Sequence, residues 1–187
     1  ATASDAGELM LWSLRDMTHE VLKADGVGVN VVTFSPDGRM LVSGNVDGTV
    51  DVWDVDTRKR VGWFRAHPKR ILAVVFSPDG KLLATGGAGE NFTKLWDTSE
   101  WQLQRTLKGH TASVTALAFA GDGMMLASAS GDSTAKCWNV ETGEVLNTFL
   151  HPQDLFCVAF SPNKRYLATG GLFHTVRIWD LATGDIV

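Results

Sequence analysis

His110, Ser128, Asp132 and Trp138 are the residues of this chain whose types could do chemistry as a group. A serine, a histidine and an aspartate gathered in space make a nucleophilic triad: the imidazole takes the hydroxyl proton and the carboxylate orients the imidazole. The local sequence argues against that use. Ser128 lies inside the apolar run MLASAS, and no strained, glycine-flanked turn lifts its hydroxyl toward a substrate. Whether the set is catalytic or structural therefore depends on the elements that hold it.

Those elements repeat. From Thr106 to Phe149 an apolar run ends in Gly-Asp-Gly, a second ends in a polar turn and a third ends in Trp-Asn. Short runs rich in Val, Ala, Leu and Phe, punctuated by turn residues, predict consecutive antiparallel strands. The tryptophans closing the third run are Trp12, Trp53, Trp96, Trp138 and Trp179, spaced by 41, 43, 42 and 41 residues. The phenylalanines ending the first run, Phe34, Phe76, Phe119 and Phe160, precede the next of these tryptophans by 19, 20, 19 and 19. The one slip falls between Gly86 and Phe92. Two markers in phase set a period in the window of a four-stranded propeller blade.

Trp53-Asp54, Trp96-Asp97 and Trp179-Asp180, with Gly109-His110 ahead of Trp138 and Ser-Pro-Asp-Gly turns at residues 35–38 and 77–80, resemble the WD-repeat β-propeller family. The resemblance covers the whole chain. It implies an all-β fold, a β-propeller of four-stranded antiparallel blades with the first strand innermost, either partial or part of a roughly seven-bladed ring. Divided that way, residues 1–28 end a partial blade, 29–66, 67–109 and 110–150 are complete blades, and 151–187 form a blade lacking its outer strand, all within one propeller domain. With no initiator methionine and both ends inside a blade, the chain reads as a piece of a longer protein. The remaining blades, or a second chain, are expected to close the ring.

The resemblance also implies a role for the first four residues. The Trp138 indole would give to Ser128, the hydroxyl would pair with His110, and the other ring nitrogen with Asp132, forming a structural tetrad inside the blade. The other repeats hold parts of it. Ser43, Asp47 and Trp53 occur with Asp25 at the histidine position. His67, Thr85 and Trp96 occur with Gly89-Glu90 spanning the shifted acid position. His151, Thr169 and Trp179 occur with Phe173 replacing the acid. Thr2 and Trp12 remain in the first repeat. A scaffold tolerates such losses blade by blade, whereas an active site does not. The expectation is that His110 matters more to stability than His67 or His151.

Composition sets the remaining bounds. The chain has 187 residues and net charge −4 with both signs interspersed, so it shows no basic footprint for nucleic acid. No run approaches the length of a membrane helix. The basic cluster from Arg58 to Arg60 reads as a solvated strand face. Cys137 and Cys157 replace aliphatic residues of other repeats, so both are expected to be buried, with no disulfide. No metal site and no cofactor are expected, and a reducing, cytoplasmic compartment is the mild implication.

Strands that fill sheets leave binding to loops. By resemblance one loop face takes protein or peptide partners, and here it carries residues 67–70, 111–113 and 153–156 with 46–47, 88–92 and 172–174. The partner-binding candidates are Lys69, Arg70, Phe92, Phe173 and His174. Phe173 could equally fill the gap its lost acid leaves. Phe156, Trp63 and Trp101 are expected to pack into the fold. The function expected is a non-catalytic scaffold for protein–protein interaction, not an enzyme. The alternative is a regulatory or sensor domain attached to a kinase, protease or nucleotide-binding ATPase outside these residues.

Overall fold

The computed structural model describes residues 1–23, 27–172 and 175–187. Asp25, Phe173 and His174 lie outside the described residues. The strands are mostly six residues long, and their turns explain where each one stops. At Ser35–Gly38 the Ser35 hydroxyl gives to Asp37 Oδ1 at 2.6 Å and receives the Met40 amide at 2.9 Å, while Gly38 takes φ +73°. The Ser77–Gly80 turn repeats those bonds. A side chain that mimics the backbone turn is what places Ser and Asp there.

The first sheet holds β1 (Thr2–Ala3), β2 (Glu8–Ser13) and β3 (Thr18–Lys23). The second holds β4 (Val29–Phe34), β5 (Met40–Asn45), β6 (Thr49–Asp54) and β7 (Arg60–Arg65), and the third β8 (Ile71–Phe76), β9 (Leu82–Gly87), β10 (Phe92–Asp97) and β11 (Leu103–Lys108). The fourth holds β12 (Val114–Phe119), β13 (Met125–Ser130), β14 (Thr134–Asn139) and β15 (Val145–Leu150), and the last β16 (Leu155–Phe160), β17 (Tyr166–Gly171) and β18 (Val176–Asp180). Each sheet pairs its strands antiparallel in chain order. The last sheet ends in an antiparallel bridge from Trp179 to Ile186, where a fourth strand would start.

Successive sheets stand side by side, with the first strands β4, β8, β12 and β16 as neighbours. The core is accordingly four apolar layers between sheets rather than one centre. Leu9, Leu22, Leu41 and Trp53 fill the first, and Val42, Val52, Ile71, Leu83 and Trp96 the second. Ala84, Leu95, Leu126 and Trp138 fill the third, and Ala127, Cys137, Leu155, Leu167 and Trp179 the fourth. Each fully buried Leu or Val contributes about 1.5–3 kcal/mol, so every tryptophan-bearing strand is fastened to its neighbour.

Every complete inner strand carries a bulge between its first and third residues, at Val29/Val31, Ile71/Ala73, Val114/Ala116 and Leu155/Cys157. The skipped residue is left unpaired in its own sheet. Asn30 uses that freedom to give to the Ile71 carbonyl at 2.8 Å, and Thr115 gives to the Leu155 carbonyl at 2.6 Å. The skipped residue of β16 is Phe156, 53% exposed. This corrects the expectation of burial: the position points toward a following sheet, and no such sheet stands beside it among the described residues. Cys157 is exposed for the same reason, while Cys137 is buried as its aliphatic counterparts are.

Trp101 packs as expected, its ring 5.8 Å from Phe64 and 6.5 Å from Phe76. Trp63 does not. It is 62% exposed on the outer strand β7, because it stands at an open cleft with Val27, Asp51 and Arg60 instead of against another sheet.

Candidate functional site

The loops before β8, β12 and β16 each bring a histidine, His67, His110 and His151, to the top of the sheet, and β13 brings Ser128 beneath His110. Trp138 Nε1 gives to Ser128 Oγ at 2.7 Å, and Ser128 Oγ lies 2.7 Å from His110 Nε2. His110 Nδ1 lies 2.9 Å from Asp132 Oδ2. A neutral imidazole protonated on Nδ1 satisfies the chain of donors from indole to carboxylate without an orphan. Asp132 also receives the Thr111 amide at 2.9 Å and the Thr134 hydroxyl at 2.6 Å. Ser128 is 0% exposed, with its hydroxyl committed on both sides. No carbonyl substrate can approach it in this arrangement.

The electrostatics follow from that packing. Burial holds the His110 imidazole below its ordinary value, against the bond to Asp132 that would raise it. Burial alone would raise the Asp132 carboxyl, but the Thr134, Thr111 and His110 bonds outweigh it and bring the group down to about 2. The His110 shift favours the neutral imidazole, and the Asp132 shift keeps its partner a carboxylate.

The third sheet differs from the sequence expectation. His67 Nε2 lies 2.9 Å from Thr85 Oγ1, which receives Trp96 Nε1 at 2.9 Å, and His67 Nδ1 lies 2.9 Å from Glu90 Oε2. Its relay is complete rather than partial. The inserted residue moves the acid one place along, and the extra methylene of Glu90 makes up the distance. The same carboxylate holds Lys94 Nζ at 2.9 Å, and its bonds to Lys94 and His67 keep it below its ordinary value despite burial.

In the last sheet Trp179 gives to Thr169 at 2.9 Å, but His151, 6% exposed, finds a hydrogen-bond partner on neither ring nitrogen among the described residues. The three residues lie close in sequence pattern yet form only a pair. In the second sheet Trp53 gives to Ser43 at 3.2 Å, while Asp47 turns to the Thr49 amide and hydroxyl and joins no relay. Trp12 gives to Thr2 at 2.9 Å in the first.

The loop face gathers the other candidates. Lys69 and Arg70 are exposed and form no ion pair among the described residues. The Lys69 chain lies across Gly89, whose missing Cβ would stand 2.7 Å from its Cδ. Beside them Glu90, Asn91, Thr111 and Ser113 line an open cleft of about 320 Å³. Phe92 opens β10 half-buried, with Lys108 Nζ 5.7 Å from its ring centre. Sequence reasoning missed the polar cluster of Asn45, Asp51 and Arg60. Its signal was Asp51 standing where the later repeats have Lys94, Lys136 and Arg177. Among the described residues no group of three or more His, Cys, Asp or Glu could hold a metal, and no helix is long and apolar enough to cross a membrane.

Comparison with known proteins adds a common pattern. The family model WD40, described as "WD domain, G-beta repeat", matches residues 18–54, 58–97, 101–139 and 143–180. The chain is 28% identical over its full length to Periodic tryptophan protein 2 of Arabidopsis thaliana, covering 21% of that protein. It is 33% identical over 83% of its length to Transcription initiation factor TFIID subunit 5 of Caenorhabditis elegans, covering 17% of it. A chain in the crystal structure of the Mitotic Checkpoint Complex superposes with TM-score 0.89 at 26% identity, over 97% of this chain and 57% of that one. The chain thus spans about a fifth of the length of these two curated relatives.

Proposed function

The chain belongs to the WD domain, G-beta repeat family, and on that premise we propose that it is a non-catalytic scaffold whose loop face holds protein or peptide partners. One observation carries the reading. The residues that could do chemistry are spent inside the sheets, with Ser128 fully buried and bonded to both Trp138 and His110, while the loop face carries exposed Lys69 and Arg70, without an ion pair among the described residues, and an open cleft that starts at Gly89 beside Lys69. Exposed charges set encounter rate and choice of partner, and half-buried aromatics such as Phe92 supply contact area. That a TFIID subunit and a checkpoint-complex chain are named for assemblies supports the same direction.

Affinity capture with the chain, and with a Lys69→Ala/Arg70→Ala/Phe92→Ala variant, tests it. The proposal expects a partner that the chain retains and the variant loses by about tenfold or more, as removal of interface hot spots does, at unchanged melting temperature. Identical captured sets from the two proteins would overturn it. The alternative of a regulatory domain beside an enzyme draws on the same fact of partial coverage, and the neighbouring sequence decides it.

A further inference from the structure

Among the described residues the second sheet carries a polar cleft on its β5, β6 and β7 strands. Asn45, Asp47, Thr49, Asp51, Arg60 and Trp63 line about 290 Å³ at the outer rim of the loop face. Asn45 is 1% exposed, and its amide nitrogen gives to Thr49 Oγ1 at 2.9 Å and Asp51 Oδ2 at 2.7 Å. Its carbonyl oxygen finds no donor among the described residues. An unmet buried acceptor is costly, and a ligand that donates to it recovers that cost.

The charges point to the sign of the donor. Arg60 Nη1 reaches Asp51 Oδ1 at 3.1 Å and so answers one carboxylate. Asp47 binds Thr49 through Oδ1 only, which leaves its second oxygen without a hydrogen bond among the described residues. Trp63, directly across the β6–β7 ladder from Asp51, is exposed and lines the same cleft.

The same rung of the neighbouring sheets shows what fits. There Lys94 pairs with Thr106 and Lys136 with Thr148 across the ladder. The Lys94 ammonium rests on the Glu90 carboxylate and the Ala66 carbonyl, at 2.9 and 2.8 Å. The second sheet inverts the arrangement: Arg60 answers Asp51 and Arg65 Nη1 gives to the Asp47 main-chain carbonyl at 2.9 Å, but among the described residues no cation meets the second Asp47 oxygen or the Asn45 carbonyl. We propose that this cleft binds the ammonium of a lysine side chain on a partner peptide, held by Asp47 and the Asn45 carbonyl against the face of Trp63. A compact cation with several donors matches a carboxylate, a carbonyl and an aromatic quadrupole together.

The site shares the loop face with Lys69 and Arg70 but none of their residues, so it rests on the scaffold reading only for the source of the peptide. NMR titration of the chain with the blocked peptide acetyl-Gly-Gly-Lys-Gly-Gly-amide tests it, against the same peptide carrying Nε-acetyl-lysine. The expected result is a shifting Trp63 indole signal with the lysine peptide and at least roughly tenfold weaker binding of the acetylated one. Asp47→Asn, which keeps the bond to Thr49, and Trp63→Ala should each weaken binding about fivefold, in line with loss of one charged or cation–π contact, with melting unchanged. Equal titration by the two peptides, no shift at Trp63, or unchanged affinity in both variants would overturn the proposal. The Lys69→Ala/Arg70→Ala/Phe92→Ala variant should titrate like the parent chain, so a failure here is separable from a failure of the scaffold reading.

Discussion

Ser128 shows most plainly how one residue type can serve opposite ends. Its hydroxyl neighbours a histidine and an aspartate, yet the second partner of that hydroxyl is an indole, and nothing is left for a substrate. Removing His110 by alanine takes one bond from Ser128, which keeps Trp138, and one from Asp132, which keeps Thr111 and Thr134, at about 0.5–1.5 kcal/mol for each bond lost. His67→Ala should cost a similar amount, because Thr85 and Glu90 are left in the same way. His151→Ala should cost less than either by about 1–3 kcal/mol, since no hydrogen bond is lost there. Urea unfolding of the three variants checks this order, and a His151 variant as unstable as the His110 one would contradict it. The tetrad pattern was readable from spacing, but Glu90 was not, because an inserted residue hides an acid from a fixed offset while the longer side chain restores the contact. Acid sensitivity follows from the same groups. His110 and His67 bind their protons more weakly folded than unfolded, so the stability they give is complete above 6.5 and declines as pH falls below it. Asp132, lowered to about 2, adds stability that is present above its ordinary value of 3.8 and is lost as pH falls from there toward 2. Melting temperature should therefore drop in two stages on acidification, and Asp132→Asn should flatten the lower stage.

At the scale of strands and sheets, the contacts between neighbours are set by what is absent. Gly44 and Gly86 on the second strands leave room for the first residue of the next inner strand. A Cβ on Gly44 would stand 2.5 Å from Ile71 Cγ2, and one on Gly86 would stand 2.7 Å from Val114 Cγ1. Gly44→Ala and Gly86→Ala should each destabilise by about 1–3 kcal/mol through overpacking. Gly62→Ala, on the outer strand with nothing within 4 Å, should be neutral or slightly stabilising. Denaturant midpoints of the three variants measure this, and equal effects would mean the sheets give way more freely than their packing indicates. Strand number, order and turns were legible, because two markers repeat at one period. Exposure was less so. Phe156 and Cys157 carry the residue types of a buried strand, and only the absence of a sheet beside β16 among the described residues makes them accessible. Trp63 misled in the same way, since an indole in an outer strand looks alike whether a neighbour covers it or not.

Taken whole, the molecule is an arc of sheets with one face of loops, one face of Ser-Pro-Asp-Gly-type turns, and an open apolar side at each end. Exposed Val176 and Ile178 at the last sheet, and exposed Val21 with half-buried Met10 at the first, line those sides. Apolar faces of this kind associate in water, so the isolated chain should sediment as larger species with rising concentration, and Val176→Lys/Ile178→Lys should reduce that tendency. The repeat pattern made the arc legible, while the partner was not, because loop chemistry varies freely over a fixed scaffold. The most direct test is hydrogen exchange on the chain with a partner retained by affinity capture. Slowed exchange in residues 67–70, 88–92, 111–113 and 153–154, with the interior amides around Ser128 unchanged, is the predicted result. Protection confined to the opposite turns at residues 36–39, 78–81, 121–124 and 162–165 would contradict it.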